Sequence, residues 1–374
     1  TQGVSSAASD VYKRQALGYR SLYKNLTGRY NIAVSNCALG NNTSGSCNIA
    51  MGYRALYKNT YGDKNVGLGF YTLYFNTTGC FNTGLSTKTL RYNSTACHNS
   101  AIGYKAMYNT TTGNNNFATG RFALVSNTTG CKNVALGDQA MSNTTTANCN
   151  IAIGYYALKS AASGSGSDNI AIGCKPLWSN STGGRNIAIG SATLYCNTTG
   201  SDNIAVGLNS NTKNTTGSCN VSLGWNSLVC NTTDSNLVAV GSRSLLYHCV
   251  AGNSYNVAIG FDSLRGYNYY SGQQGVRNTA VGSCSQTFST YSDDNTSLGF
   301  KTLRKNSHGS KNVAVGGYAL EQQPNASFNT AVGFRSLTKN LVGNYNTAVG
   351  YATLLNNNNG GFNVAVGDRA LINN

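Results

Sequence analysis

Followed only for its apolar and polar positions, the chain repeats one short phrase. Two aliphatics flank a small residue, as in Ile187-Ala188-Ile189, and glycine follows at Gly190, with Leu194 four positions further on. The phrase recurs every 17 residues from Gly18 to Gly367, and only Ser35 and Ser86 replace the anchor glycine. Three steps depart from this period: those ending at Gly173 and Gly260 span 19 residues, and the one ending at Gly282 spans 22.

Positions are counted from the anchor. Aliphatics at −3 and −1 around a small −2 residue alternate with period two, which predicts a short strand with its aliphatics in the core. The Ala-Leu pair at +3 and +4 predicts a second extended segment. Asn-Thr-Thr-Gly at +7 to +10 predicts a turn, because Asn bonds its own backbone and Gly accepts positive φ. Such a unit cannot bury its aliphatics alone, but stacked copies about 4.8 Å apart can, each strand pairing in parallel with its neighbours. The expectation is an all-β fold, a two-faced β-solenoid of about 21 coils with a 17-residue repeat. Asn stands at −4 in 19 of the 21 units, which predicts amide ladders along the stack. The period is too short for propeller blades, and helix-type spacing is absent.

The repeat defines the domain organisation. Residues 1–15, TQGVSSAASDVYKRQ, stand outside it and read as a non-native leader, similar to translated sequencing-adapter read-through. Residues 16–374 read as one continuous solenoid with insertions near 160–168, 246–255 and 265–278.

Composition narrows the function classes. The 27 Lys and Arg outnumber 11 Asp and Glu, for a net charge of +16, which favours polyanionic partners. Twelve cysteines in a polar chain suggest an oxidising compartment, and the absence of a CxxC pair argues against zinc. No apolar run is long enough to span a membrane.

The N-[IV]-A-[IV]-G phrase, with its AL and NTTG columns, resembles the head repeats of trimeric autotransporter adhesins. It resembles more closely the NVAVGxxAL…NTTGxxN arrays in tail fibres of phages and large viruses. The resemblance spans Ala16 to Asn374 and implies an extracellular or virion-surface rod that self-associates, as a parallel trimer or end to end. It implies no catalytic residue and no cofactor.

Several columns carry candidate chemistry. Basic residues at +2 (Arg20, Arg54, Lys88, Lys105, Lys175, Arg243, Lys301, Arg335 and Arg369) follow a +1 column rich in aromatics, a pattern suited to a sulfated glycan or other polyanion. The same pattern also describes solvated charges over packed rings. Cys80 and Cys97 share the +11 column in adjacent coils and are the first candidates for a disulfide; Cys131 with Cys149 and Cys230 with Cys249 are looser ones. Asn76, Asn93, Asn127, Asn180, Asn197, Asn214 and Asn231 begin N-[ST]-T sequons, open to glycosylation or to a purely turn-forming role. Tyr267, Tyr269 and Tyr270 in the longest insertion form a candidate binding loop.

Catalysis finds no support: the three histidines occupy different coil positions without a carboxylate in register, and acids are sparse. The sequence is therefore expected to be a structural and adhesive fibre segment that is not an enzyme. The alternative is a surface-binding protein for anionic glycans or ice, with nucleic acid disfavoured.

Overall fold

The computed structural model describes residues 13–159, 166–249, 252–267 and 275–374. Among them the protein is all-β, with twenty-one strands of three residues each. The chain divides into two compact units, Thr1–Arg185 and Asn186–Asn374. The first holds β1 (Gln15–Leu17) to β10 (Ile170–Ile172), the second β11 (Ile187–Ile189) to β21 (Val364–Val366). Within each unit every strand pairs in parallel with its copy in the next coil, for example Ile32 with Ile49, Ala33 with Ala50 and Val34 with Met51. Each unit is thus a β-solenoid. The first strand includes Gln15, which pairs with Ile32.

The insertions leave the strand register intact. Ile151 pairs with Ile170 across a 19-residue step, Val238 with Val257 across another, and Val257 with Thr279 across the 22-residue step.

The facing of the strand is the reverse of the expectation. The small −2 residue is fully buried, as at Ala33, Ala50 and Ala101, while the −3 and −1 aliphatics point outward and stay partly exposed. The interior is too narrow for two large side chains on one level. In unit 2 the core runs through Ala314, Ala331 and Ala348 of the strands, with Ala319 and Leu303, Leu320, Leu337 and Leu354 of the opposite wall. A Cβ added at Gly84 would stand 2.6 Å from the Thr72 methyl, so this level of the core is already filled.

The opposite wall is not a second strand. The +4 leucines adopt left-handed backbone, with φ of 51° at Leu56 and 48° at Leu194, and +2 residues such as Arg54 (54°) do likewise. An L-residue in this region costs about 1–2 kcal/mol, and full burial of the leucine offsets it with about 1.5–3 kcal/mol. These turns are still bonded coil to coil: Leu56 N–H donates to the Thr72 carbonyl at 3.0 Å and Lys58 N–H to that of Tyr74 at 3.0 Å. At the anchor, Gly69 has φ of 136° and a Cβ there would lie 2.5 Å from the Ser86 carbonyl oxygen, which is why the column is glycine.

Amide ladders run inside each unit. At −4, Asn48 N–H donates to Asn31 Oδ1 at 2.9 Å, and Asn48 Nδ2 to the Gly62 carbonyl at 2.8 Å. At +7, Asn59 Nδ2 donates to Asn42 Oδ1 at 2.7 Å and to the Gly62 carbonyl at 2.9 Å. These buried amides satisfy the carbonyls that a chain turning through a narrow interior would otherwise orphan.

Candidate functional surfaces

Three surfaces emerge from this geometry, each set by one group of columns. The first is the outer strand face. Because −3 and −1 point outward, Ile102, Ile151, Ile153, Ile189 and Ile259 each keep 37% to 39% of their surface exposed. Between Ile32 and Val366 neither column contains a charged residue, in a chain of net charge +16. With coils about 4.8 Å apart and strands about 10 Å wide, each unit presents on the order of 500 Å² of uncharged face, mostly aliphatic with Thr or Ser at positions such as Ser100 and Thr279. That reaches the size at which an uncovered patch on a soluble protein signals an interaction site.

The second surface is the edge formed by the +1, +2, +5 and +6 turns. Here the basic column meets the aromatic one directly. The Arg54 guanidinium lies over Tyr53 at 5.2 Å and over Tyr57 and Tyr71, and Arg20 lies over Tyr19 and Tyr23. Lys105 sits over Tyr104, Tyr108 and Phe122, and Lys175 over Trp178. In unit 2, Arg243 lies over Phe261 and bonds Asp262 at 2.8 Å, Lys301 lies over Phe300 and Tyr318, Arg335 over Phe334, and Arg369 over Tyr351. Rings stack along the coils, as for Tyr53 and Phe70 at 5.3 Å. Lys88 shares the column and is half-buried. Unit 1 adds members that the +2 column did not reveal: Arg91 lies over Tyr71, Tyr74, Tyr92 and Tyr108, and Lys58 over Phe75. Neighbouring tyrosines raise the pKa of Arg54 against its desolvation, so that edge stays cationic at any physiological pH.

The third surface borders the long insertion. Tyr267 is exposed and its ring lies 6.0 Å from Phe288; together with Thr290, Lys305 and Ser307 they line an open cavity of about 310 Å³. Tyr269 and Tyr270 lie outside the described residues.

Other candidates land differently. All twelve cysteines are free thiols, so the Cys80–Cys97 disulfide is absent from this structure. The two are instead members of an acceptor column: Asp63 N–H donates to Cys80 Sγ at 3.3 Å, Cys80 N–H to Cys97 Sγ at 3.0 Å, and Cys97 N–H to Asn114 Oδ1 at 2.6 Å. Ser, Asp, Asn and Cys at +11 share this role, which explains cysteines there without any covalent bond.

The sequon asparagines belong to the +7 ladder and face inward. Asn76, Asn93, Asn127, Asn180, Asn197, Asn214 and Asn231 are all buried. Asn76 Nδ2 donates to Asn59 Oδ1 at 2.7 Å and to the Gly79 carbonyl at 3.0 Å; Asn214 Nδ2 donates to Asn197 and Gly217. A glycan on such a nitrogen would have to occupy the core, so the folded coil has no place for a row of glycans here.

The adjacent threonines of the turn lie in two different environments. At +8, Thr60 and Thr77 are half-buried and bond the next coil's carbonyl, whereas at +9 Thr78, Thr95, Thr112, Thr129 and Thr146 form one exposed column. The adjacent exposed +12 column carries Phe81, His98, Asn115 and Lys132, so the threonines do not widen into a flat two-column array.

One cluster escaped the sequence reading altogether. His248 replaces Asn at +7 and Asp234 replaces Gly at +10 in the preceding coil, and their side chains meet at 2.5 Å with neither exposed. Ser254 donates its N–H to Asp234 Oδ1 at 3.0 Å, and its hydroxyl also bonds Asp234. The carboxylate expected to be missing near any histidine is therefore present. The signal was two column breaks in consecutive coils. Buried and closed to solvent, this cluster replaces one rung of the amide ladder and offers no reachable atom for catalysis.

Among the described residues no group of three or more His, Cys, Asp or Glu could hold a metal ion, and no helix is long and apolar enough to cross a membrane. No known protein-family profile matches the chain, and no curated protein matches it in sequence.

Proposed function

We propose that this chain is a structural and adhesive segment of an extracellular or virion-surface fibre, in which copies associate side by side through the outer strand face. The observation that carries this reading is the pair of uncharged, outward-facing and largely aliphatic columns. Within each unit that face, on the order of 500 Å², is of a size that a partner would cover. A second copy is the natural occupant, because a repeating partner matches a repeating face at every coil. The likeness of the NIAIG and NTTG phrases to adhesin heads and tail-fibre arrays supports the same reading, a parallel trimer being the arrangement it implies. Sedimentation velocity tests it: the intact chain is expected to sediment as an oligomer, and Ile151→Lys with Ile153→Lys to weaken that association. A chain that stays monomeric at all concentrations overturns the proposal.

The cation–ring edge favours a second reading, in which the chain binds sulfated glycan or another polyanion. A glycan array read across a salt titration tests it. Retained anionic glycans whose affinity falls steeply with salt support it, and a flat response across the array removes it.

A further inference from the structure

The cavity beside the long insertion has walls, a floor and a charge of its own. Its floor comes from two successive coils of unit 2, anchored at Gly282 and Gly299, whose backbones are bonded onward from coil to coil. Phe288 N–H donates to the Arg304 carbonyl at 3.0 Å, Thr290 N–H to that of Ser307 at 3.3 Å, and Lys305 N–H to that of Glu321 at 3.0 Å. The Phe288 ring is held by the guanidiniums of Arg265 and Arg304, each 5.4 Å from its centre. Gly266, with φ of 82°, turns the chain ahead of Tyr267, whose ring forms the second wall, inclined at 63° to Phe288. At about 310 Å³ the cavity lies at the lower end of the range for small-molecule sites.

Hydrogen bonding and charge define what fits it. The lining hydroxyls are already engaged: Thr290 Oγ1 donates to the Ser307 carbonyl at 2.7 Å, and Ser307 Oγ to that of Pro324 at 3.1 Å. A sugar would bury hydroxyls that find few partners here, whereas a flat ring system gains from both aromatic walls. The charges are unbalanced at one point. Arg265 stands 3.6 Å from Asp262 and Arg304 3.8 Å from Glu321, but Lys305 is exposed and pairs with no carboxylate among the described residues. One uncompensated cation at the edge of an apolar cavity selects a ligand with one negative charge.

We propose that this cavity binds a planar aromatic monoanion, its rings against Tyr267 and Phe288 and its carboxylate or sulfonate on Lys305. Such a ligand differs in kind from the polyanion suited to the cation–ring edge, because it needs an apolar body and a single charge.

The test titrates the full chain with 2-naphthoate by isothermal calorimetry at neutral pH, with 2-naphthylmethanol as the uncharged comparator and a heparin disaccharide as the polyanionic one. Saturable binding of naphthoate at one site per chain is expected, weakened about tenfold by Tyr267→Ala and about fivefold by Lys305→Gln. Both side chains are exposed, so neither substitution removes a core contact. Lys132→Gln, at an exposed lysine of unit 1, is expected to change nothing. The proposal is overturned if naphthoate binding does not saturate, or if either Tyr267→Ala or Lys305→Gln binds it as tightly as the parent chain. It is equally overturned if the alcohol or the disaccharide binds as tightly as naphthoate.

Discussion

His248 Nε2 lies 2.5 Å from Asp234 Oδ2, with both side chains wholly inside the coil. Removing one partner of a buried hydrogen-bonded pair leaves the other unsatisfied, so His248→Ala is expected to destabilise its unit by about 1–3 kcal/mol. Replacing both with the repeat's own residues, His248→Asn and Asp234→Gly, restores an amide rung and is expected to change stability by no more than about 1 kcal/mol. Denaturant midpoints compare them; a single variant as mild as the double one would show that the pair is not coupled.

Asn211 interrupts the buried leucine column between Leu194 and Leu228, and neither its amide nitrogen nor its amide oxygen has a partner. Its φ of 49° is the value its leucine neighbours adopt, 48° and 52°. Asn211→Leu therefore asks nothing new of the backbone and removes two orphaned polar atoms. It should stabilise unit 2 by about 1–3 kcal/mol, read as a higher denaturant midpoint.

A sequon can be destroyed at either end, and the two ends are not equivalent. Asn76→Ala orphans Asn59 Oδ1, takes one acceptor from Asn93 Nδ2 and leaves the Gly79 carbonyl to Asn65 alone, and should cost about 1–3 kcal/mol. Thr78→Ala alters an exposed side chain and should stay within about 0.5 kcal/mol. Equal costs would mean that the amide ladder contributes nothing.

The same ladder breaks at Thr110, whose hydroxyl is unpartnered, as is Asn93 Oδ1 one coil before it. Thr110→Asn supplies a donor for Asn93 at a position where the repeat normally places one. A gain of about 1 kcal/mol in unit 1 is expected in chemical denaturation.

Thiol reactivity should follow pH in a way that singles out Cys249. With its pKa at about 7, its thiolate becomes the main form as pH rises through neutrality, while the raised pKa of Cys80 delays that thiolate to more alkaline pH. Alkylation monitored by peptide mapping should label Cys249 first, its rate rising to a plateau above about pH 8. A rate still climbing at more alkaline pH, in step with Cys80, would contradict the assignment.

How much of this was legible beforehand depends on what kind of relation each residue makes. The NIAIGSATLYCNTTGSD phrase determines the repeat, the parallel stacking, the amide ladders and the need for glycine at Gly190, because each is a relation between identical positions in successive coils. A periodic sequence states those relations directly. Which way each position faces is decided across the coil, between unlike columns, and only the tertiary structure settles it. The interior has room for Ala188 and Leu194 on one level but not for Ile187 and Ile189 as well, so the larger pair turns outward. The same rule draws Asn76 inside, turns Cys80 into a hydrogen-bond acceptor, and joins His248 to Asp234. None of these follows from period alone, because a cross-coil distance depends on how tightly the turns close, and the left-handed leucines set that closure.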